Sequence, residues 1–161
     1  MHASSTSADD DRGGRWVAAQ FVVMGIVLGA GFLPPGWPDS VSGLLAALGA
    51  VVSLLGAILG VWAWRTLDRS ATAYPRPREG GRLIESGPYE FVRHPIYAAG
   101  LLFFLGYALA TSPIAFVPLA ALAVLWRNKA AYEEELLVDR YTDYWAYRER
   151  VPGSFVPRPS R

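Results

Sequence analysis

The sequence predicts an all-α integral membrane protein: a helical bundle of about four transmembrane helices, followed by a C-terminal amphipathic helix on the cytoplasmic side. Three observations predict it. Residues 16–33, 40–64 and 96–126 hold no charged side chain, although Asp, Glu, Lys and Arg make up 18% of the chain; long charge-free apolar runs suit a hydrocarbon solvent. All 15 Lys and Arg residues lie in the N-terminal tail, in residues 65–94 or after Trp126, and the loops at 34–40 and 111–113 hold none. Four spans place those three basic regions on one side, which the positive-inside rule makes cytoplasmic. Trp16, Trp37, Trp62, Trp64 and Trp126 stand at the expected span ends, the boundary where an indole has both water and lipid within reach.

Each element follows in order. Residues 1–15 are a Ser-, Asp- and Gly-rich tail without apolar periodicity, expected to be disordered. Asp9-Asp10-Asp11 speaks against a cleaved signal peptide. Residues 16–161 form one expected domain. The first span covers 16–33 and stops at Pro34-Pro35-Gly36; the second covers 41–64 and stops at Arg65. After the polar stretch 65–94 come two short spans, 96–111 and 114–126, joined so tightly by Thr111-Ser112-Pro113 that only a helical hairpin fits. Both are short against the roughly 20 residues a bilayer asks for. Tilt or local thinning accommodates a full crossing, and a hairpin that dips without crossing is the competing arrangement. Gly25 and Gly29, and Gly56 and Gly60, form two GxxxG pairs; such small faces are expected to pack spans one and two together, or to join two copies of the chain.

Residues 127–150 contain no Pro or Gly, and Leu137, Tyr141, Tyr144 and Arg148 recur at helical spacing. This reads as an amphipathic helix at the interface, continuous with span four or separate from it. Val151-Pro152-Gly153 ends it, and 154–161 should run extended.

Several chemistries are excluded. The chain has no cysteine and two histidines, so thiolate nucleophiles and Cys-ligated zinc are absent and no metal site is expected. A net charge of +1 without a basic, aromatic-rich run gives no reason to expect nucleic acid. The glycines spell neither a dinucleotide fingerprint nor a P-loop. Fourteen arginines against one lysine suit a GC-rich bacterial genome, hence a bacterial inner membrane with both termini cytoplasmic.

Two constellations stand out. The first is Gly87-Pro88-Tyr89, then Arg93-His94-Pro95-x-Tyr97-x-x-Gly100, at the start of span three. Ionisable groups at a membrane edge persist mainly when something uses them, and a proline at a helix start leaves an N-terminus able to receive an anion. The second is Glu133-Glu134-x-x-Leu137 with Tyr141, Tyr144, Tyr147 and Arg150 downstream. Taken singly, the first is also what a lipid-facing arginine and a capping histidine would give, and the second a solvated acidic face.

Together, over about residues 45–158, the two resemble the isoprenylcysteine carboxyl methyltransferases and the related phospholipid methyltransferases of membranes. Thr142 departs from the glycine that many relatives carry after the aromatic residue, which puts the local turn in question. The resemblance implies S-adenosylmethionine (SAM) as cofactor, bound within about residues 85–158 by Tyr89, Arg93, His94, Pro95, Tyr97, Gly100, Glu133, Glu134, Tyr144 and Tyr147. The residue chemistry agrees: Arg93, His94 and the helix N-terminus suit the carboxylate of SAM, the glutamates its hydroxyls or ammonium, and a tyrosine its sulfonium or adenine. Glu133, Glu134 and Arg150 are the candidate catalytic residues. A carboxylate acceptor is ionised near pH 7 and needs no base; an amine acceptor would need one, for which either glutamate serves. Arg150 would orient an acceptor carboxylate. The implied acceptor is lipidic or isoprenoid-bearing and enters sideways from the bilayer, with carboxyl O-methylation first and phospholipid or small-molecule N-methylation second. An NADPH-dependent membrane reductase and a non-catalytic membrane scaffold are the competitors from other classes, and the oligomeric state stays open.

Overall fold

The computed structural model describes residues 13–70, 72–75 and 80–159. Residues 1–12 of the expected tail lie outside the described residues. Among the described residues all regular structure is helical: α1 (Gly14–Ala30), α2 (Asp39–Leu67), α3 (Pro95–Thr111), α4 (Phe116–Arg140) and α5 (Tyr144–Arg150), with single 3-10 turns at Asp68–Ser70, Gly87–Glu90 and Pro113–Ala115.

The elements start and stop for local reasons. Asp39 sits in the first turn of α2, where the positive helix end favours a carboxylate. Pro95 opens α3 as its first helical residue, a position that needs no N–H. Ser112 ends α3, accepts from the Ile114 N–H at 3.2 Å and reaches the carbonyl oxygens of Leu33 and Pro35 at 3.0 and 3.1 Å. One serine thereby ties both turns at this end of the bundle.

Asp39–Leu67 and Pro113–Arg140 are long and apolar enough to cross a membrane; Gly14–Ala30 and Pro95–Thr111 are apolar but have 17 residues each, about 26 Å of helix. Only 11% of the apolar window of α2 is buried, and Leu44, Leu48, Val51, Leu54 and Ile58 stand exposed. Such an uncovered apolar face belongs against lipid and not in a soluble core. The fourth span, expected to be short, is part of a 25-residue helix that carries on through Glu133 and Glu134.

Two expectations are corrected. The amphipathic helix expected over 127–150 is broken at 141–143: Tyr141 is extended, and the Tyr144 N–H returns to the Tyr141 carbonyl at 3.1 Å. No residue of this turn takes a positive φ, so Thr142 serves where relatives carry glycine. The glycine pairs do not join spans one and two. α1 packs on α4, while α2 runs along α3. A Cβ at Gly25 or Gly29 would meet nothing within 4 Å, whereas one at Gly56 would lie 2.5 Å from the Phe103 backbone nitrogen. Gly49 and Gly106 face each other across the same seam, and the Ser53 hydroxyl donates to the Phe103 carbonyl at 3.0 Å. Close backbone approach through small residues plus a polar cross-link is how helices hold together where lipid removes the hydrophobic drive.

The helices thus follow the order α2, α3, α4, α1, and consecutive α1 and α2 face each other across a cavity. Among the described residues, the end of the bundle holding Trp16, the start of α3 and the last turns of α4 carries Arg15, Arg65, Arg93, Arg127 and Arg140; the other end, residues 31–38 and 112–115, carries no Lys or Arg.

Candidate functional site

The site is built where the entrance to α3 meets the far part of α4. Residues 93 and 94 precede Pro95, outside any helix, and their backbone N–H groups donate to the carbonyl oxygens of Gly153 and Ser154, both at 3.0 Å. The C-terminal segment is thereby stitched onto the Arg-His pair. Arg93 Nη1 also donates to the Val151 carbonyl at 2.7 Å.

Glu133 and Glu134 are consecutive on α4 and so point about 100° apart. Glu134 turns towards the stitched segment. Its Oε1 lies 2.9 Å from Arg93 Nε and 3.0 Å from His94 Nε2, and its Oε2 lies 3.8 Å from Arg148 Nε. Glu133 turns into a cavity: the Tyr97 hydroxyl donates to its Oε1 at 2.5 Å, and its Oε2 lies 3.6 Å from His94 Nδ1. His94 thus stands between the two carboxylates. Its ring stacks on Tyr97, and Tyr97 stacks on Trp126, with centroids 5.7 and 5.5 Å apart; Phe155 meets both His94 and Tyr97 edge-on.

The cavity measures about 540 Å³, within the size range of small-molecule sites. Its polar end is lined by Tyr89, Arg93, His94, Tyr97, Glu133, Tyr144 and Tyr147, and its apolar end by Met24, Gly56, Phe103 and Phe104. Tyr147 donates to the Tyr89 carbonyl at 2.8 Å. Tyr144 is fully buried and its hydroxyl has no hydrogen-bond partner among the described residues, an arrangement that calls for a ligand or water. Burial raises the pKa of Tyr89, Tyr144 and Tyr147; Tyr147 and Glu133 add to the rise for Tyr89, Glu134 adds to it for Tyr144, and Arg93 opposes it for Tyr147. All three are therefore neutral hydroxyls at physiological pH, able to donate.

Of the residues expected from the sequence, Tyr89, Arg93, His94, Tyr97, Gly100, Glu133, Tyr144 and Tyr147 line this one cavity. Gly100 does so by admitting the Trp126 ring, which a Cβ would approach to 2.6 Å. Pro95 is fully buried beneath the site, and Glu134 stands behind it as the partner of Arg93 and His94. Arg150 is not brought in: it lies exposed and pairs with Glu85. Among the described residues no group of three metal-ligating side chains occurs. Two residues in the wall carried a signal that motif reading passes over. Lys129 is the single lysine of the chain, one helical turn before Glu133, and Gln20 is the single polar side chain in residues 16–33.

Fold and site together define an all-helical protein with membrane-length apolar helices, and with a cavity whose charged groups are gathered at one end. A model of the phospholipid methyltransferase family matches residues 44–144, a range that holds the Arg93–Tyr97 element, the glutamate pair and Tyr144. The chain belongs to the family of membrane methyltransferases that takes in the isoprenylcysteine carboxyl methyltransferases and the phospholipid methyltransferases. It is 30% identical to the cobalt-zinc-cadmium resistance protein CzcN of Cupriavidus metallidurans, over 91% of this chain and 64% of that protein. It is 31% identical to protein-S-isoprenylcysteine O-methyltransferase B of Arabidopsis thaliana, over 68% of this chain and 58% of that protein. The nickel-cobalt-cadmium resistance protein NccN of Alcaligenes xylosoxydans is 26% identical over 77% of this chain and 55% of its own length. The chain spans less than two thirds of each of these relatives.

Proposed function

We propose that this chain is a SAM-dependent methyltransferase. It crosses a bacterial inner membrane about four times, has both termini in the cytoplasm, and methylates a lipidic or isoprenoid-bearing acceptor at the cytoplasmic face, with carboxyl O-methylation of an isoprenylcysteine-like molecule as the first reading. One observation carries this: a single cavity joins a polar end holding Glu133, Tyr144 and the Arg93–His94 pair to an apolar end bounded by lipid-level helices. A polar cofactor and an apolar acceptor can meet there without either leaving its solvent.

The residues fit SAM. The buried Tyr144 hydroxyl, without a partner among the described residues, is a donor in waiting, Glu133 offers its carboxyl oxygens as acceptors to hydroxyl or ammonium donors, and the Tyr97 and Trp126 rings present π faces to a cationic ligand. When bound, SAM supplies a methyl group already activated by a sulfonium. The work left to the chain is alignment of acceptor and methyl, and exclusion of water. Glu134 holds Arg93 and His94 in place; Arg93 and the C-terminal stitch close the polar end; the α1–α2 gap admits an apolar tail from the side. The family description supports a second reading, methylation of a phospholipid amine, in which Glu133 would also take the proton.

Calorimetry in detergent tests the cofactor assignment. S-adenosylhomocysteine should bind at micromolar concentration, about −8 kcal/mol. No heat at millimolar ligand in a folded preparation would remove the assignment, and heat with NADPH instead would move the chain to the reductases.

A further inference from the structure

We propose that Lys129, held by Gln20 in the cavity wall, is the receptor for an anionic group on the acceptor. It would select acidic amphiphiles, with a carboxylate or phosphate at the end of an apolar tail, over neutral or cationic ones. The assignment rests on reading the cavity as the methyl-transfer site.

Lys129 is 1% exposed and lines the cavity. Its Nζ donates to Gln20 Oε1 and to the Ala73 carbonyl, both at 2.8 Å, and stands 5.4 Å from the centre of the Tyr97 ring. All three partners are neutral, and among the described residues no carboxylate oxygen lies within ion-pairing distance of Nζ. Arg93 at the same cavity differs, because Glu134 neutralises it at 2.9 Å. An ammonium removed from water is costly unless an anion compensates it. It carries three N–H donors, of which two are engaged, and Glu133 acts on its charge only from beyond ion-pairing distance, so one donor and a direct counter-charge are left for a ligand to supply.

Position says which ligand. Lys129 precedes Glu133 by one turn of α4, about 6 Å along the axis, and Trp126 lies three residues further towards the apolar end. From the polar end inward the wall therefore reads acidic, basic, aromatic. The lysine stands at the boundary between the two ends, where the head of an amphiphile rests once its tail fills the space against Phe103 and Phe104. A carboxylate or phosphate there completes an ion pair; an ammonium meets a like charge and is rejected. Gln20 has the matching role on α1. A polar side chain within an otherwise apolar span is kept when something uses it, and Gln20 Oε1 accepts from both Lys129 and the Trp126 indole, the latter at 3.3 Å. It fixes the lysine at the edge of the α1–α2 gap.

The test titrates wild type and Lys129→Met in lipid nanodiscs with three ligands of one tail: farnesylthioacetate, farnesyl phosphate and the neutral farnesylthioacetamide. Tryptophan fluorescence is the readout, since Trp64 and Trp126 line the cavity, and empty nanodiscs correct for partitioning. Wild type should bind both anions at least about tenfold tighter than the amide, the scale of one charge-assisted hydrogen bond. Lys129→Met should bind all three alike, while its affinity for S-adenosylhomocysteine stays at the wild-type value. Lys129→Gln, which keeps an N–H for the Ala73 carbonyl, repeats the comparison if the methionine variant does not fold. An anion preference that survives loss of the lysine overturns the proposal, as does a wild type without any preference. A variant that loses S-adenosylhomocysteine and keeps its amphiphile affinities overturns it too, by giving the lysine to the cofactor. The amphiphile titrations need no cofactor, so failure of wild type to bind S-adenosylhomocysteine would count against the methyltransferase reading alone.

Discussion

Arg93 Nε donates to Glu134 Oε1 at 2.9 Å, across 41 positions of sequence. Both side chains are about nine-tenths buried, and the bond joins the entrance of α3 to the far part of α4. Because Arg93 Nη1 also reaches the Val151 carbonyl, one guanidinium fork holds the C-terminal segment, α3 and α4 at once.

Lysine cannot reproduce that fork, since it offers a point charge in place of two fixed N–H directions. Arg93→Lys should keep the ion pair with Glu134 and lose the Val151 contact, at about 1.5–3 kcal/mol for a hydrogen bond to a charged group. The polar end of the cavity then loosens, and affinity for S-adenosylhomocysteine should fall by roughly tenfold or more. Calorimetry on folded protein checks this. Unchanged affinity with a lower melting temperature would leave Arg93 a purely architectural residue.

The seam between α2 and α3 makes a second prediction. A methyl group at Gly56 would press on the Phe103 backbone, whereas one at Gly25 meets open space. Gly56→Ala should destabilise the protein by about 1–3 kcal/mol, as overpacking does. Gly25→Ala should be neutral or slightly stabilising, since glycine in a helix costs about 0.5–1 kcal/mol relative to alanine. Thermal melts of the two variants in one detergent give the comparison. Equal effects would mean that the two faces are packed alike, in a dimer for example.

These glycines also show what was legible in the sequence. A GxxxG pair announces a small face but not which helix covers it, and adjacency in sequence suggested the wrong partner for span one. The charge-free runs marked the helices because hydrocarbon excludes charge, and the Arg93–Tyr97 and Glu133–Glu134 elements marked the site because few residues can persist at a membrane edge without use. The division of labour between Glu133 and Glu134 was not legible. It follows from a 100° step around α4 and from where residues 151–154 lie, which no local pattern encodes. The break at 141–143 was equally hidden, because Thr142 turns the chain without Gly or Pro.

The proposed four-span topology is open to a direct check in a chain that has no cysteine of its own. Single cysteines at Ser40 and at Glu149, both exposed positions, should react with a membrane-impermeant maleimide from opposite sides, Glu149→Cys from the cytoplasm. The loops at 34–40 and 111–113 hold no Lys or Arg, and the positive-inside rule sets the direction. Labelling of both positions from one side would overturn the count of four.

The glutamates separate the two acceptor chemistries. Glu134 stands behind the cavity as the partner of Arg93, so Glu134→Gln leaves a buried guanidinium without its counter-charge and should cost about 3–5 kcal/mol of stability. Its phenotype is a lower melting temperature whichever acceptor is used. Glu133 faces the ligand space and accepts from Tyr97. If the acceptor is a carboxylate, no proton has to be removed, and Glu133→Gln should weaken cofactor binding while saturated turnover stays near wild type. If the acceptor is an amine, the same variant should hold cofactor normally and lose turnover by about 10²-fold or more, the usual worth of a general base; raising the pH should restore part of that loss, because more of the amine is then already deprotonated. The buried Lys129 nearby, which an anionic head would neutralise, favours the first outcome. Cofactor affinity and saturated turnover, measured separately across pH for each variant, decide between them. A turnover loss at unchanged affinity that alkaline pH repairs would assign the chain to amine methylation.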